Sequence, residues 1–296
     1  MNSDMKISIG ICAYNEEKNI EQAIRSIYRQ DTDGFDVSEV IVVSSGSTDK
    51  TDEIVSELIS EFDNLILLPQ AAREGKNSAI NYFLDEKTAP IAVLLNADNV
   101  LGGPNTLKEL ISPFENSSVG ITGGHPVPTN DRDSLAGFAS NMLWVMHHHV
   151  SATYPKIGEL IAFRDIGTRL PCDSQSDEDI LRMKLEEIGY RGVYAPNAVV
   201  YNRGPETVSD FLKQRIRVNI GERYMKKNYD YDIPTWNMKL LTEALFETVR
   251  EMGFHPLKIF FTASLEAYSR TVSSLHVKLN KGDANIWNPV STTKKL

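Results

Sequence analysis

The chain has 296 residues, enough for one large α/β domain, alone or with a helical appendage. Hydrophobic residues make up 41% of it and charged residues 24%, which is ordinary for a globular protein and excludes disordered and fibrous classes. The net charge of −9 gives no overall attraction to nucleic acid or to an anionic membrane, so no nucleic-acid partner is expected.

Cysteine usage and hydropathy bear on location. Cys12 and Cys172 lack the spacing of a metal-binding pair and suit a reducing compartment. The first six residues contain no apolar signal core, and no run of 18 apolar residues occurs. These features predict a cytoplasmic protein. Peripheral contact with the inner face of a membrane is an alternative, because the C-terminal helices carry many apolar side chains.

Strand and helix patterns alternate over the first 125 residues. Apolar, often β-branched runs predict strands, and apolar residues at helical spacing predict helices between them. The predicted strands cover residues 6–13, 40–43, 65–68 and 90–95, and the predicted helices cover 15–30, 49–61, 76–84 and 106–112. Such alternation predicts a mostly parallel sheet, whose ligands bind beyond the carboxyl ends of the strands.

The second half of the chain alternates less regularly. Strands are predicted at 120–122 and 160–163, with extended segments at 194 and 199–201. Helices are predicted at 177–188 and 207–228, and only helical patterns follow residue 233. Gly189 follows the first of these helices, in the position of a typical C-cap residue.

Polar residues follow each of the first four predicted strands. The segments are Ala13-Tyr14-Asn15-Glu16-Glu17, Ser44-Ser45-Gly46-Ser47-Thr48-Asp49, Arg73-Glu74-Gly75-Lys76-Asn77 and Asn96-Ala97-Asp98-Asn99. Asp98 and Asn96 offer hard oxygen ligands of the kind that Mg²⁺ and Mn²⁺ prefer. Lys76 and Arg73 carry charges that would neutralise a diphosphate. Each segment alone is better explained as a turn or a helix cap, but four at one sheet edge favour a ligand site.

In order and spacing, these segments resemble glycosyltransferase family 2, which has the glycosyltransferase-A fold. The resemblance rests on residues 7–17, 42–51 and 75–81, and on Asn96-Ala97-Asp98, which stands where the family has its Asp-x-Asp metal motif. It extends over about residues 5–228. It implies a Rossmann-like, mostly parallel sheet flanked by helices. The catalytic domain would span 1–230, with a donor half (1–125) and an acceptor half (126–230), followed by a helical C-terminal extension (231–296).

The resemblance also implies residue roles on the donor side. Asp98 would hold Mn²⁺ or Mg²⁺, and Asn96 would face the metal or the ribose. The other donor-binding positions would be Ala13, Tyr14, Glu16, Ser44, Ser45, Lys76 and Ala97. Two positions depart from the family. Ser44 lies near the position where the family often has an Asp that reads uracil, which leaves the base open, and Asn96 replaces a carboxylate, which leaves the metal site with less charge.

An acidic run, Asp177-Glu178-Asp179, opens the predicted helix that ends before Gly189. Inverting transfer is one displacement at the anomeric carbon and needs a base for the acceptor's proton. Adjacent carboxylates raise one another's pKa, which suits a base, but acidic residues at a helix N-terminus also favour the macrodipole. In the family an acidic pair precedes this helix, which implies a catalytic role for Asp177 and Glu178, with Asp179 beside them.

Two further segments concern the acceptor side. Gln214-Arg215-Ile216-Arg217-Val218 resembles the family's Gln-x-x-Arg-Trp motif with Val218 in place of Trp, which implies that Gln214, Arg215 and Arg217 contact the diphosphate or the acceptor. His147, His148 and His149 are consecutive. On a helix they point in different directions and cannot all bind one ion, so a place near the acceptor is expected.

Together these features predict an inverting, metal-assisted glycosyltransferase with a carboxylate base. It would move a sugar from a nucleotide-diphosphate sugar to a hydroxyl or lipid-phosphate acceptor, the acceptor being a glycan, a lipid-linked compound or another hydroxyl compound. A homodimer through the C-terminal helices is a further expectation. The alternative is a non-catalytic nucleotide-sugar-binding protein of the same fold. A nucleotidyltransferase is disfavoured because residues 14–17 are acidic where its basic, glycine-rich loop would stand.

Overall fold

The computed structural model describes residues 5–172, 176–231 and 233–279. Their strands form one sheet: β1 (Lys6–Ala13), β2 (Asp36–Ser45), β3 (Leu65–Gln70), β4 (Ile91–Asn96), β5 (Val100–Leu101), β6 (Val119–Pro128), β7 (Leu160–Arg164) and β8 (Arg191–Asn202). The α-helices are α1 (Ile20–Tyr28), α2 (Thr51–Ile59), α3 (Lys76–Glu86), α4 (Thr106–Ile111), α5 (Leu135–Thr153), α6 (Asp177–Glu187), α7 (Val208–Tyr229), α8 (Met238–Met252) and α9 (Pro256–Lys278).

The sheet has the strand order β3-β2-β1-β4-β7-β6-β8-β5. The first four strands of this order are parallel, whereas β7 runs antiparallel to both β4 and β6. Ala13 of β1 pairs with Ser44 of β2, and Cys12 pairs with Asn96 of β4. The polar segments that follow these strands therefore meet at one edge of the sheet, as the sequence predicts.

Alternating apolar side chains bury both faces of the sheet. Ile9 and Ile11 of β1 pack with Ile24 of α1 on one face, and Val43 of β2 packs with Phe83 of α3 on the other. Gly10 of β1 is required where Phe83 crosses the strand, because a Cβ at this position would lie 2.7 Å from the ring. This packing holds α3, and with it Lys76, against the centre of the sheet.

The C-terminal helices pack on helices of the preceding region. Leu265 of α9 is buried with Ala139 of α5 and Phe211 of α7, and Leu240 of α8 is buried with Val150 of α5. We call α5, α7, α8 and α9 the helical layer. The predicted extension at 231–296 is thus helical in its described part, which lies against the acceptor half. Residues 280–296 lie outside the described residues.

Element boundaries differ from the prediction at the start of α1 and in the lengths of β2 and β6, which extend beyond the predicted 40–43 and 120–122. The helix predicted at 15–30 begins at Ile20, because Asn15 adopts a left-handed conformation with φ of 54° and residues 14–19 form a loop. The two extended segments predicted near 194 and 200 are one strand, β8. Among the described residues, none of the helices combines the length and apolarity that a bilayer span requires.

Candidate active site

The segments after β1, β2 and β3 are joined by hydrogen bonds, and the segment after β4 follows the strand that pairs with β1. We call the four segments together the donor edge. The backbone N–H of Asn15 donates to Ser47 Oγ at 3.1 Å, and the backbone N–H of Thr48 donates to Asn15 Oδ1 at 2.8 Å. Glu16 N donates to Thr51 Oγ1 at 2.8 Å. The left-handed Asn15 thus fixes the turn that carries Tyr14 and Glu16 to the edge.

Two serine residues at the end of β2 form hydrogen bonds to loop residues of the donor edge. Ser44 is fully buried and donates to Ser47 Oγ at 2.9 Å, while Ser45 Oγ accepts from Glu74 N at 3.1 Å. These bonds give both serines a positioning role in the free protein. Their contact with a donor stays a prediction.

An aromatic and a basic side chain stack at the same edge. The Arg73 guanidinium carbon lies 4.0 Å from the centre of the Tyr14 ring, a distance typical of a cation–π contact. Ala13, immediately before Tyr14, is buried. The stacked tyrosine ring and guanidinium group suit contact with a nucleoside and its phosphates.

Asp98 lies beside two further carboxylates. Desolvation, together with the charges of Glu159 and Glu16, raises the pKa of Asp98 to about 7. Asn96 Nδ2 donates to Glu159 Oε2 at 2.8 Å, whereas Ala97 is buried. The site is therefore strongly anionic. Within the described residues, no group of three or more His, Cys, Asp or Glu side chains is placed to hold a metal by itself.

Sequence reasoning did not identify Glu159 as part of this site. Leu160 of β7 pairs with Leu95 of β4, so the residue before Leu160 lies beside the residues after Leu95. Glu159 lies 60 positions after Asn99 and 63 after Asn96, and this antiparallel pairing brings them together. A polar residue immediately before a predicted strand is a weak local signal, because Glu39 and Asn64 also precede predicted strands.

Lys76 joins the donor edge to the acidic run of α6. Its Nζ lies 2.7 Å from Asp177 Oδ2 and 3.4 Å from Glu178 Oε1. Desolvation opposes the charge of Lys76, but the charges of Asp177 and Glu178 outweigh it and raise the pKa of Lys76. The ion pair with the buried Asp177 places the first turn of α6 against the first turn of α3.

The three acidic residues occupy different environments. Burial and the charge of Asp177 raise the pKa of Glu178 to about 8, although Lys76 acts in the opposite direction. Burial raises the pKa of Asp179 to about 6, and Glu222 contributes to that rise. A carboxylate with a pKa near neutrality is suited to proton transfer, so Glu178 and Asp179 are both chemically competent as bases.

The Gln-x-x-Arg-like segment lies on α7, with its residues engaged differently. Arg215 is paired with Glu266 of α9, through contacts of 2.9 Å from Nε and 3.1 Å from Nη2. Among the described residues, Arg217 has no ion-pair partner. Arg217 and Gln214 line the same cavity as Glu178. Of the two predicted basic groups, Arg217 is therefore the one with charge available for a ligand.

The consecutive histidines of α5 point in different directions, as predicted. His148 Nδ1 contacts Tyr194 Oη at 2.7 Å, and His149 Nε2 contacts Glu251 at 3.1 Å. His147 lines the cavity with Trp144, and burial lowers the pKa of His147 to about 3. His147 is thus uncharged near neutral pH and lines the cavity on the side where the acceptor is predicted to bind.

A cavity of about 720 Å³ extends from this site into the helical layer. One end is polar and contains Asn96, Glu159 and Glu178. The other end lies between the helices and includes Leu241 and Leu245 of α8. Its volume is in the range of about 300–1,000 Å³ that is typical of small-ligand pockets. The predicted base therefore lines a pocket whose helical side combines apolar residues with charged ones, such as Arg215, Glu266 and Arg270.

Comparison with known proteins gives the family. The sequence model described as glycosyl transferase family 2 matches residues 8–189, more than half of the chain. The chain belongs to this family. It is a glycosyltransferase, and the matched residues include the donor edge and the acidic run of α6.

Curated relatives are similar at low identity. Poly-beta-1,6-N-acetyl-D-glucosamine synthase of Staphylococcus epidermidis is 23% identical over 286 residues, which cover 92% of this chain and 68% of that protein. The probable glycosyltransferase YdaM of Bacillus subtilis (strain 168) is 26% identical over 240 residues, which cover 74% of this chain. The alignment spans 56% of YdaM, little more than half its length.

Solved structures confirm the predicted fold. The mannosyltransferase PcManGT from Pyrobaculum calidifontis, in complex with GDP-Man and Mn²⁺, has a TM-score of 0.68 at 21% identity, covering 93% of this chain and 88% of that one. S. aureus TarS 1–349, in complex with UDP-GlcNAc, has a TM-score of 0.53 at 15% identity, covering 93% and 92%. The mostly parallel sheet with flanking helices is thus the glycosyltransferase-A arrangement.

Proposed function

We propose that this glycosyltransferase moves a sugar from a nucleotide-diphosphate sugar to an acceptor hydroxyl, with inversion and with help from a divalent cation. The observation that carries the proposal is Glu178, whose carboxyl group faces the cavity and has a pKa raised to about 8. A base is needed for a hydroxyl acceptor but not for an ionised phosphate. The site therefore favours the hydroxyl acceptor over the lipid phosphate.

The donor would lie across the donor edge. Tyr14 under Arg73, together with Glu16 and Ala13, would line the nucleoside, and Ser44 and Ser45 would hold these loops in place. The nucleotide sugars in the PcManGT and TarS complexes support this class of donor, because both proteins share the fold. Ser44 gives no carboxylate to read a base, so the choice between guanine and uracil stays open.

Asp98 would hold Mn²⁺ or Mg²⁺, with Asn96 and Ala97 shaping the turn. Asp98 is suited to a cation because the like charges of Glu159 and Glu16 disfavour its ionised form. A bound cation would offset this repulsion and favour the ionised carboxylate. The Mn²⁺ of the PcManGT complex supports this assignment. When bound, the cation would neutralise charge that develops on the leaving diphosphate.

Glu178 would accept the proton of the acceptor hydroxyl. The acceptor oxygen would then bond to the anomeric carbon from the side opposite the diphosphate, whose bond to that carbon breaks, giving inverted configuration. Asp177, ion-paired with Lys76, would keep α6 in place, and Asp179 would be the second base candidate. Lys76, Arg217 and Gln214 would face the diphosphate or the acceptor.

The far end of the cavity bears on the acceptor. Trp144, Leu241 and Leu245 line the cavity among charged residues, and the apolar surface that they contribute supports an acceptor with an apolar portion, such as a lipid-linked glycan. Several apolar side chains of α8, of α9 and of the loop between them are exposed: Phe246, Phe254, Leu257 and Phe260. Peripheral membrane contact and a homodimer through these helices both stay predictions that would use this surface.

A product assay separates transfer from mere binding. Purified protein is incubated with GDP-Man or UDP-GlcNAc, Mn²⁺ and octyl glycosides as acceptors, and products are analysed by mass spectrometry and by NMR of the anomeric proton. We expect an octyl disaccharide with inverted configuration from one of the two donors. A retained configuration would refute the single displacement. Donor binding by calorimetry without turnover of any acceptor or hydrolysis of the donor would favour the non-catalytic alternative.

A further inference from the structure

The backbone at Glu159 is strained. Its φ is 62°, in the left-handed region that residues other than Gly and Asn seldom adopt. Leu160 N donates to Gly158 O at 2.7 Å, which makes Glu159 the central residue of a γ-turn with positive φ, a rare form. The turn directs the Glu159 side chain toward Asn96 and Asn99. Strain of this kind persists only where neighbouring contacts maintain it.

The Glu159 carboxylate is held at one oxygen only. Oε2 accepts hydrogen bonds from Asn96 Nδ2 and Asn99 Nδ2, each at 2.8 Å. In the ranges that the structure describes, Oε1 accepts no hydrogen bond and no lysine or arginine forms an ion pair with Glu159. One oxygen of an oriented carboxylate is thus left without a protein partner in the described part of the chain.

Asn99 provides a second, independent sign of a ligand. The residue is fully buried, and its Oδ1 has no hydrogen-bond partner among the described residues. Since Oδ1 and Nδ2 share one amide carbon, this oxygen lies near the Glu159 carboxylate that Nδ2 contacts. A buried oxygen without a donor is unusual in proteins and marks a place where a ligand or an ordered water belongs.

We propose that Glu159 supplies the second protein carboxylate for the divalent cation, replacing the carboxylate that Asn96 removes from the Asp-x-Asp motif. Asn96 then has a different task, because its amide group holds the replacement carboxylate in position. Mg²⁺ and Mn²⁺ sites of transferases use one or two carboxylates and complete their shells with phosphate oxygens and water. Asp98 and Glu159 together meet that need. The inference rests on the proposed metal assistance.

A purely structural role for Glu159 makes a different prediction. The Glu159→Gln change removes the charge but keeps a carbonyl oxygen that can accept from both asparagines. If Glu159 only positions Asn96 and Asn99, this variant retains its affinity for the cation. If Glu159 is a ligand, the affinity falls although the fold is kept.

The test measures Mn²⁺ binding by electron paramagnetic resonance of free Mn²⁺, in the presence of GDP and separately of UDP. The proteins are the unmodified chain, Asp98→Asn, Glu159→Gln, and the double variant Asn96→Asp with Glu159→Gln. We expect Glu159→Gln to weaken Mn²⁺ binding by about 10- to 100-fold, with an unchanged melting temperature. The double variant, which returns the carboxylate to the motif, should recover most of the loss. Glu115→Gln, at an exposed site, is the matched control and should bind normally.

The outcomes separate this inference from the function on which it rests. Unchanged Mn²⁺ affinity in Glu159→Gln, together with lost affinity in Asp98→Asn, would refute the role of Glu159 and leave metal assistance standing. Loss of affinity in Glu159→Gln without recovery in the double variant would refute the replacement of one carboxylate by the other. No Mn²⁺ binding to the unmodified chain with either nucleotide would refute metal assistance and this inference together.

Discussion

The donor edge and the helical layer are built in different ways. The donor edge is held by hydrogen bonds between loop residues, such as Asn15 with Ser47 and Thr48, which follow neighbouring strands. The helical layer is held by apolar packing and by largely buried charges from distant segments, such as Arg215 with Glu266. Both regions join segments that are distant in sequence, but the donor edge does so through polar contacts between the loops of neighbouring strands. The helical layer does so through packing and ion pairs between helices.

The largest loss of activity is expected from a substitution at Glu178, which lies where the donor edge meets the helical layer. Glu178→Gln removes the proposed base while keeping the size of the side chain, and general-base catalysis contributes about 10²- to 10⁴-fold. We therefore expect kcat to fall by that factor, with little change in the affinity for nucleoside diphosphate. Steady-state kinetics and calorimetry measure the two quantities.

Glu187→Gln is the matched control for this change. Glu187 ends the same helix, is half-exposed and pairs with Lys184 at 3.0 Å, far from the cavity. It should leave kcat within twofold, because surface ion pairs contribute little. If Asp179→Asn lost activity and Glu178→Gln did not, the role of base would pass to Asp179.

Substitutions of two arginines of α7 should separate an effect on the stability of the helical layer from an effect on donor binding. Arg215→Ala should lower the free energy of unfolding by about 2–3 kcal/mol, because Glu266 loses a bidentate partner at a site where both side chains are 17% exposed. Arg217→Ala should change stability by less than about 0.5 kcal/mol but raise the KM for the donor. Urea unfolding and donor titrations test this pair. Equal stability losses would show that both arginines serve the helical layer.

A smaller effect is expected on the pH dependence of kcat/KM. Glu178 must be ionised to accept a proton, so kcat/KM should rise as pH passes through about 8, the raised pKa of Glu178. Asp177→Asn removes a charge that raises this pKa and should shift the rise to lower pH. Lys76→Met removes a charge that lowers it and should shift the rise to higher pH. If the rise in kcat/KM moved in the same pH direction in both variants, the rise could not be assigned to Glu178.

Much of the donor edge follows from local sequence. Apolar runs at 6–13 and 90–95 predicted β1 and β4 to within one residue, because buried parallel strands need continuous apolar residues. The fold class and the family are confirmed. The start of α1 was predicted wrongly, since the left-handed Asn15 is stabilised by Ser47 and Thr48, more than 30 positions away.

The rest of the site could not be predicted from local patterns. Glu159 reaches Asn96 through the antiparallel pairing of β7 with β4, which strand patterns alone do not reveal. Arg215 was predicted to contact the diphosphate or the acceptor, and the sequence did not reveal its pairing with Glu266 of α9, 51 positions later. The acidic run of α6 was identified, whereas the different environments of Glu178 and Asp179 arise from burial and from charges on other segments, Lys76 acting on Glu178 and Lys156 and Glu222 acting on Asp179. The assigned roles stay predictions.

The pairing of Arg215 with Glu266 has a consequence for how this protein can diverge. The family match ends at residue 189, yet a chain cut after residue 230 would leave the Arg215 guanidinium without its acidic partner and the apolar side of α7 uncovered. Arg215 is therefore coupled to α9 through its charge, and both lie outside the matched segment. Exchanging α8 and α9 for other helices should destabilise this protein unless position 215 is changed as well.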